Sequence, residues 1–567
     1  MTALPYPNYW DLAAILLVLS VIVLIAWGVR EMGLPYQVGE TIPISLDPWN
    51  LPYYALRSVL RMLIAMVFSL GFTFIFGTLA AKNKHAERLI VPLIDVLQSV
   101  PVLAFLSITI VGFIALFPGS MLGPECAAIF AIFTSQAWNI ALSFYQSLRT
   151  VPHDLREAAS MFHLSFWQGF WRVDVPFAMP GLLWNIMVSM SASWFFVVAA
   201  ESITVANRNI MLPGIGSYIS LAVMKADAPS VLYAIVAMLI VILLYDQLLF
   251  RPLSNWANRF KFEQDMEYSG GRAWLVNLFE HTRLMRRTSV LAGKFWSIFV
   301  NLRLYRNNTS TVSAHKGIWH RWIIATWYIL LSAMLGVACY ILIHFVFQYV
   351  SWRESVYVIY LGLLTGIRVM VLIAICSIIW VPVGVWIGLR PKFVDIFQPI
   401  IQILAAFPAN LFFPVVVMLI VTYHLNVEIW TSPLMVLGTQ WYILFNVIAG
   451  ASALPKEMQQ VASNFNVTGW LWWKRIILPG IFPYYVTGAV TAAGGAWNAS
   501  IIAEAVNWGH TKLLATGLGA YITEQATKGD FPRLALGTAV MCLFVIFINR
   551  VLWKPLYNVA EQRCSLE

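Results

Sequence analysis

Long apolar runs alternate with short polar segments along nearly the whole chain. A helix needs a run of roughly 20 residues to cross about 30 Å of hydrocarbon. Twelve runs reach this length, six on each side of a polar, basic stretch at 251–320. They lie at 10–29, 56–81, 89–117, 124–146, 181–205, 229–250, 321–349, 356–389, 396–422, 431–450, 484–506 and 532–553. The pattern predicts an all-α membrane protein with about twelve transmembrane helices in two six-helix units.

The composition agrees with a membrane protein. Hydrophobic residues make up 60% of the chain and charged residues only 11%, whereas soluble domains carry about 25% charged residues. The first apolar run has no basic residue before it and no small-residue cleavage site after it, so we interpret it as a membrane helix and not as a signal peptide. The five Cys form no paired spacing, so neither disulfides nor a metal site is predicted.

The distribution of Lys and Arg predicts the orientation, because cytoplasmic loops are enriched in these residues. With a cytoplasmic N-terminus, the cytoplasmic loops hold Lys82, Lys84, Arg88, Arg149, Arg156, Arg172, Arg390, Lys392, Lys456, Lys474 and Arg475. The opposite loops hold Arg30, Arg208, Lys225, Arg353, Lys512 and Lys528. We therefore expect a multi-pass protein of the inner (cytoplasmic) membrane with both termini in the cytoplasm. The net charge of +10 then comes from Lys and Arg in loops beside the membrane lipid, where they set the orientation. No nucleic acid partner is expected.

The two halves of the chain repeat each other. A shift of 303 residues places Glu201 on Glu504, with further matches at prolines and glycines on both sides. Upstream the shift is 307 and places Arg61 on Arg368. Each half has an even number of predicted spans, so the repeats should share one orientation and be related by an axis along the membrane normal. This divides the chain into a first unit at 1–250, a linker at 251–320 and a second unit at 321–567.

The linker is too polar to span a membrane. Between 272 and 305 its apolar and aromatic residues are interspersed with Arg and Lys. That pattern is typical of an amphipathic helix on the cytoplasmic membrane face. A solvated tether with some helix is the alternative.

A shared pattern occurs between the fourth and fifth predicted spans of each half. The matching positions are Glu157, Ala158, Ala159, Phe162, His163 and Pro176 in the first half, and Gln460, Val461, Ala462, Asn466 and Pro479 in the second. The pattern resembles the EAA loop of ABC-importer permeases, and we call 157–176 and 460–479 the first and second EAA-like loops. The resemblance implies a type I importer fold, in which each loop is a helix–turn–helix that docks on an ATPase subunit. The alternative is a surface helix that packs only on its own unit.

Both loops depart from the family pattern. His163 and Asn466 stand where the family has Gly, and Gln460-Val461 replaces Glu-Ala. Asn accepts a left-handed backbone more readily than His does. A weaker docking of the second loop is therefore an open possibility.

Further segments resemble permeases of the nitrate/taurine/sulfonate group: Ala199-Ala200-Glu201 with Leu212-Pro213-Gly214-Ile215-Gly216, and Ala503-Glu504 with Gly517-Leu518-Gly519. The resemblance implies uptake of a small anion such as nitrate, sulfonate, taurine or bicarbonate. It also implies two copies of an ATPase subunit and a periplasmic or extracellular substrate-binding protein. The chain has no Gly-rich phosphate-binding motif, so we expect no cofactor and no enzymatic activity here, with ATP and Mg²⁺ bound by the partner ATPase.

Ionisable residues within apolar runs are candidates for function. Arg61 and Arg368 lie at a depth similar to that of Glu201 and Glu504, on the outer side. These residues are interpreted either as a gate or part of the translocation path, or as structural Arg–Glu pairs. Glu125 lies near the end of a run and is expected to be interfacial.

Other candidates for the translocation path are polar, proline or large aromatic residues within predicted spans. A proline frees a backbone carbonyl and bends a helix, and such interruptions can line a path. The candidates are Gln98, Pro101, Trp194, Pro408, Trp497 and Asn498. For the two Trp the alternative is simple packing.

The rival function is a secondary transporter with a six-plus-six repeat. It would need coupling carboxylates at mid-membrane and no docking loop. The acidic groups here lie near span ends, which favours the importer permease. A membrane enzyme lacks a candidate catalytic cluster, and an exporter half would normally carry its own ATPase domain.

Overall fold

The computed structural model describes residues 43–253, 293–301 and 318–563, apart from 206, 207 and 510, together with isolated positions between 19 and 35. The predicted first span at 10–29 and most of the linker lie outside the described residues. In these ranges the chain is almost entirely helical, as expected, with two short β-hairpins added.

Between residues 43 and 253 the first unit contains ten α-helices and one hairpin. They are α1 (Leu51–Phe72), α2 (Thr78–Lys82), α3 (Lys84–Ser99), α4 (Val102–Leu116), α5 (Leu122–Arg149), α6 (His153–Met161), α7 (Phe166–Gly169), α8 (Val175–Glu201), β1 (Ser202–Val205), β2 (Arg208–Met211), α9 (Ile215–Met224) and α10 (Ala228–Tyr245). A helix at 293–301, α11, belongs to the linker.

In the described residues, the second unit begins with a long helix at 318–349 and then follows an order similar to that of the first unit. Its elements are α12 (Ile318–Tyr349), α13 (Trp352–Gly388), α14 (Pro391–Ala406), α15 (Phe413–Thr422), α16 (Val427–Trp430), α17 (Gln440–Ser452), α18 (Lys456–Asn464), α19 (Gly469–Trp472), α20 (Leu478–Ala503), β3 (Ala505–Trp508), β4 (Thr511–Leu514), α21 (Leu518–Lys528), α22 (Phe531–Ile548) and α23 (Lys554–Arg563).

Eleven of the predicted spans fall in described residues. Eight correspond to helices long and apolar enough to cross a membrane, and three correspond to bent helix pairs. The spans at 89–117 and 396–422 are interrupted at Pro101 and Pro408, as the sequence predicts: the chain bends by 101° between α3 and α4, and by 70° at the equivalent place in the second unit. The exact number of twelve spans therefore stays a prediction.

Proline causes both of these bends. Val100 and Phe407, each directly before a proline, adopt extended backbone with ψ of 124° and 125°. Steric clash with the following ring disfavours helical geometry at that position. Pro101 and Pro408 then stand at the start of the next helical segment, where a missing N–H costs nothing.

The duplication is visible in small irregularities as well as in the order of elements. Single π-helical turns occur at Phe170–Asp174 and Trp473–Ile477, which are 303 residues apart. A second pair occurs at Asp246–Phe250 and Asn549–Trp553, with the same spacing. Each hairpin also follows the equivalent long helix of its unit: α8 in the first unit and α20 in the second.

The two units pack against each other through equivalent elements. Thr538 Oγ1 donates to the Ala104 carbonyl at 3.0 Å, which joins α22 to α4. Another donor of the second unit, Asn410 Nδ2, bonds to the Phe195 carbonyl on α8 at 3.2 Å. Near the hairpins, the Gly509 N–H donates to the Val223 carbonyl at 2.8 Å. The interface between the units is thus the place where a path through the molecule would run.

Candidate functional site

The first EAA-like loop is a helix–turn–helix made by α6 and α7. His163 forms the turn with φ of +48°, a left-handed conformation uncommon for a residue with a side chain. After the turn, Ser165 and Gln168 form a capping box: Gln168 N donates to Ser165 Oγ at 3.3 Å, and Ser165 N donates to Gln168 Oε1 at 3.0 Å. These bonds satisfy the free N–H groups that start α7.

The second EAA-like loop has the same shape, formed by α18 and α19. Asn466 occupies the turn with φ of +49°, the equivalent of His163. In both loops the residue after the turn donates its N–H back into the preceding helix: Leu164 to the Ala159 carbonyl at 3.1 Å, and Val467 to the Ala462 carbonyl at 2.9 Å. The helix–turn–helix implied by the resemblance is therefore present twice.

The turn of each loop exposes an aromatic side chain. Phe162 and its equivalent Phe465 are both 77% exposed, and Met161 is 80% exposed. Large apolar side chains that project into water mark interaction surfaces. Phe465 was missed in the sequence reasoning, although the shift of 303 from Phe162 points to it.

The remaining loop positions contribute unequally. Glu157 and Gln460 are exposed, and His153 Nδ1 lies 3.2 Å from Glu157 Oε1. Ala158 and Ala159 are half-buried and Val461 is 53% exposed, whereas Ala462 is only 3% exposed and packs inside its own unit. Pro176 and Pro479 each lie just after the π-helical turn that joins the loop to the long helix.

Arg61 lies at the centre of a buried ion cluster in the first unit. Its Nη1 is 2.7 Å from Glu201 Oε1, and its Nε is 2.6 Å from Glu125 Oε2. Arg57 Nη2 also contacts Glu125, at 2.7 Å. All four side chains are at most 1% exposed. The predicted pairing of Arg61 with Glu201 is confirmed; we call these four residues the first ion cluster.

The prediction that Glu125 is interfacial is wrong. It is 1% exposed and held between two guanidinium groups. It lies early in α5, near the end of an apolar run, but α1 packs beside it and supplies both arginines. Adding 303 leads to Glu428, which takes the same place in the second unit.

The second ion cluster consists of Arg368, Glu428 and Glu504. Arg368 Nη1 lies 3.3 Å from Glu504 Oε1, as predicted, and its Nη2 contacts Glu428. Thr516 adds a hydrogen bond from its N–H to Glu428 Oε1 at 2.8 Å. Leu364 occupies the position equivalent to Arg57. Arg368 is 19% and Glu428 42% exposed, whereas Glu504 is fully buried, so the second cluster is open on the side of Glu428.

Glu201 also caps the N-terminus of α9, the helix that follows the first hairpin. Its Oε2 accepts the Gly216 N–H at 2.7 Å, and its Oε1 accepts Ser58 Oγ at 2.5 Å. The same hydroxyl accepts the Ile215 N–H at 3.2 Å. The carboxylate therefore satisfies free N–H groups at the start of α9, where negative charge is favoured.

Glu504 repeats this arrangement at the start of α21. Its Oε2 accepts the Gly519 N–H at 2.7 Å, and Thr365 Oγ1 donates to its Oε1 at 2.8 Å. A Cβ on Gly517 would lie 2.3 Å from the Glu504 carboxylate, as one on Gly214 would lie 2.2 Å from that of Glu201. Glycine is needed at these positions for close approach. The shared Gly-x-Gly of the sequence is thus explained by a structural role of the two glutamates.

Trp194 and Trp497 are both buried. Trp194 is 1% exposed and meets Tyr245 edge-on with ring centroids 5.7 Å apart. Trp497 is 2% exposed and packs over Gly366. Trp194 also lines a small cavity that reaches α14, with Gln402 among its other lining residues. For both residues a role in the path stays a prediction, with packing as the alternative.

The other predicted path residues lie at the bends and on α20. Gln98 is exposed at the end of α3, and Pro101 and Pro408 are buried at the two bends. Asn498 Nδ2 donates to the Gly494 carbonyl at 3.2 Å, whereas its Oδ1 has no hydrogen-bond partner among the described residues. A role in the path stays a prediction for all of them.

One face of α8 meets the other unit. Trp184 stacks on Phe445 with centroids 5.8 Å apart, and the Phe195 carbonyl accepts from Asn410. Residues 184 and 195 are about three turns apart and share a helix face. A shift of 303 places the corresponding face of α20 at Thr487, which is exposed, and at Asn498.

Comparison with known proteins decides the family. A family model described as a binding-protein-dependent transport system inner membrane component matches residues 73–250 and again 380–553. The two matches together cover more than half of the chain. This chain belongs to that family. It is a permease, the membrane component of an importer, with the family domain duplicated within one polypeptide. The two domains and the helical architecture fit the expected type I importer fold.

Several curated permeases are similar to parts of the chain. The nitrate import permease protein NrtB of Synechocystis sp. is 26% identical over 241 residues, which are 40% of this chain and 82% of the relative. The bicarbonate transport system permease protein CmpB of Synechococcus elongatus is 26% identical over 171 residues, 30% of this chain and 57% of the relative. The glycine betaine/carnitine transport permease protein GbuB of Listeria monocytogenes is 29% identical over 213 residues, 37% of this chain and 68% of the relative.

Proposed function

We propose that this permease imports a small anion by alternating access driven by separate ATPase subunits. The observation that carries the proposal is the pair of EAA-like loops, which have the same helix–turn–helix shape and expose Phe162 and Phe465 to the same extent. Two equivalent surfaces on one chain suit two copies of an ATPase. ATP and Mg²⁺ are then bound by those partners.

The proposed cycle uses the rigid connections between the loops and the membrane helices. α7 runs through the π-helical turn directly into α8, and α19 runs in the same way into α20. A displacement of either loop is therefore transmitted along a long helix that contacts the other unit. When the ATPases close and draw the loops together, the faces of α8 and α20 between the units move, and access changes from outward to inward.

An anionic substrate is proposed from the relatives whose printed names specify nitrate and bicarbonate. A relative named for glycine betaine and carnitine matches at a similar identity, so betaine is the informative comparison. Solute delivery by a substrate-binding protein on the outer side completes the proposal, and it follows from the family description.

Reconstitution tests the proposal. The purified permease in proteoliposomes, together with its ATPase and binding protein, should accumulate isotope-labelled nitrate, bicarbonate, taurine or an alkanesulfonate only when ATP is present. Betaine serves as the zwitterionic comparison. Uptake of betaine in preference to every anion would overturn the anion proposal. Uptake driven by an ion gradient without ATP would favour the secondary transporter instead.

A further inference from the structure

The linker helix α11 packs directly on the first EAA-like loop. Trp167 Nε1 donates to the Phe299 carbonyl at 2.9 Å, and Gln168 Nε2 donates to the Asn301 carbonyl at 3.4 Å. Arg172 also hydrogen-bonds to the Asn301 side chain. Three hydrogen bonds therefore join Phe299 and Asn301 of α11 to the loop.

Aromatic rings reinforce this contact. Phe299 meets Trp167 and Trp171 with centroids 5.1 and 5.7 Å apart, and Trp296 meets Trp171 at 5.1 Å. Edge-to-face aromatic pairs stabilise a contact beyond the effect of the area that they bury. The loop side of this contact is the segment that continues into α8, which is the connection through which loop movement reaches the membrane.

The second EAA-like loop lacks these aromatic partners. Trp470, the equivalent of Trp167, is 72% exposed. Lys474 stands at the position of Trp171, so the aromatic pair that receives α11 in the first unit is not repeated. Within the described residues, the contact with the linker is made by one of the two loops.

We propose that α11 positions the first EAA-like loop during the transport cycle, so that the ATPases act on two mechanically unequal loops. Trp296 and Phe299 are positioning residues: they act through Trp167 and Trp171 on the α7–α8 connection. The inference rests on the proposed function, because it assigns α11 a part in coupling ATP hydrolysis to transport. α11 does not cover Phe162, the side chain proposed to contact the ATPase, because that side chain is 77% exposed.

Cross-linking tests the contact independently of the ATPase. In a variant without the five native Cys and with a protease site inserted between 254 and 292, Arg172→Cys and Asn301→Cys are combined. A short bifunctional thiol reagent should hold the two proteolytic fragments together on a denaturing gel. The matched control is Lys225→Cys with Asn301→Cys, which also places one Cys on each fragment; Lys225 is exposed and predicted to face outward, so these fragments should remain separable. Failure of the first pair to cross-link would overturn the proposal.

Coupling is tested on the reconstituted complex. Trp296→Ala with Phe299→Ala should lower the solute transported per ATP hydrolysed by about fivefold or more, the lower end of the usual coupling between two sites. Co-purification of the ATPase and the melting temperature should stay close to wild type, and Trp296→Phe with Phe299→Tyr should restore the ratio. The control is Phe295→Ala with Ile298→Ala on the exposed face of the same helix, where the side chains are 73% and 63% exposed.

The outcomes separate the two proposals. An unchanged ratio in Trp296→Ala/Phe299→Ala would overturn the positioning role, as would an equal loss in the control variant, which would assign the effect to a partner or lipid on the exposed face. If the proposed function is wrong, the wild-type permease shows no ATP-dependent uptake while the Arg172–Asn301 cross-link still forms.

Discussion

At the scale of single residues, the two ion clusters show how one residue difference between the units changes an arrangement of charges that both units share. The central arginine and two glutamates occur in both units, but Arg57 is present only in the first. Two arginines and two glutamates balance one another there and stay buried. Leu364 takes the place of Arg57 in the second unit, and there Arg368 and Glu428 are partly exposed. An unpaired ion in an apolar interior is costly, so exposure accompanies the missing partner.

We predict that Arg61→Ala is far more destabilising than Arg368→Ala. Removing Arg61 leaves Glu201 buried without its ionic partner, and breaking a buried pair typically costs about 3–5 kcal/mol. Arg368 and Glu428 are already partly exposed, and Glu504 keeps hydrogen bonds from Thr365 and Gly519, so the equivalent loss in the second unit should be smaller. The measurement is the melting temperature in detergent together with the amount of protein in the membrane.

Two further variants make this comparison decisive. Exchanging the charges by Arg61→Glu with Glu201→Arg should not restore stability, because Glu201 also accepts the Gly216 N–H and an arginine cannot. Equal destabilisation by Arg61→Ala and Arg368→Ala would contradict the assignment of a closed first cluster and an open second one.

At the scale of elements, the EAA-like loops show where a motif and its structure agree. A turn with positive φ favours Gly, yet His163 and Asn466 adopt it at +48° and +49°. The backbone hydrogen bonds that close each turn outweigh the modest conformational cost of a side chain there. The loop shape therefore persists although the glycine of the family pattern is absent from both loops.

We predict that Phe162→Ala and Phe465→Ala each weaken association with the ATPase. Aromatic anchors at the centre of an interface commonly cost 2 kcal/mol or more when truncated, or about 30-fold in affinity. Both side chains are exposed here, so the folded permease should keep its melting temperature. Co-purification of the ATPase measures the effect.

A suitable control is Phe547→Ala, which removes another exposed phenylalanine, on the membrane helix α22. It should leave the amount of bound ATPase unchanged. Retention of the ATPase by the Phe162→Ala/Phe465→Ala double variant would show that the loops are not the docking surface. Ala462 is a poor site for such a test, because a charge there would disrupt its own unit first.

At the scale of the whole molecule, two similar units form one permease with unlike parts. The same helices, bends, π-helical turns and hairpins recur. The differences are confined to particular places: the charges of the ion clusters, the polarity of the facing surfaces of α8 and α20, and the contact of α11 with one loop. Fusion into one chain fixes the two halves in a one-to-one ratio, so such differences can be retained.

We predict that the linker lies in the cytoplasm. In a variant without native Cys, Ser269→Cys in intact cells should react only with membrane-permeant thiol reagents, because the loops rich in Lys and Arg remain on the cytoplasmic side. Lys225→Cys, on an exposed position between α9 and α10 predicted to face outward, should react with impermeant reagents. A reversed labelling pattern would invert the proposed orientation.

Much of the architecture follows from the sequence by itself. Runs of about 20 apolar residues can satisfy their backbone only as helices in a membrane, and repeated Pro, Gly and Glu positions reveal the duplication. The EAA-like pattern identified the loops, and equal depth paired Arg61 with Glu201. These inferences succeed because they depend on local hydrogen bonding, on hydrophobic length or on spacing along the chain.

Only the tertiary structure decided which charges are enclosed, how sharply the spans bend and what covers each loop. Glu125 looked interfacial by its position in the chain, but its environment is set by Arg57 and Arg61, more than 60 residues away. Likewise, the contact of α11 with Trp167 joins residues about 130 positions apart. Burial and partner choice are properties of packed neighbours, and the spacing of residues along one helix does not contain them.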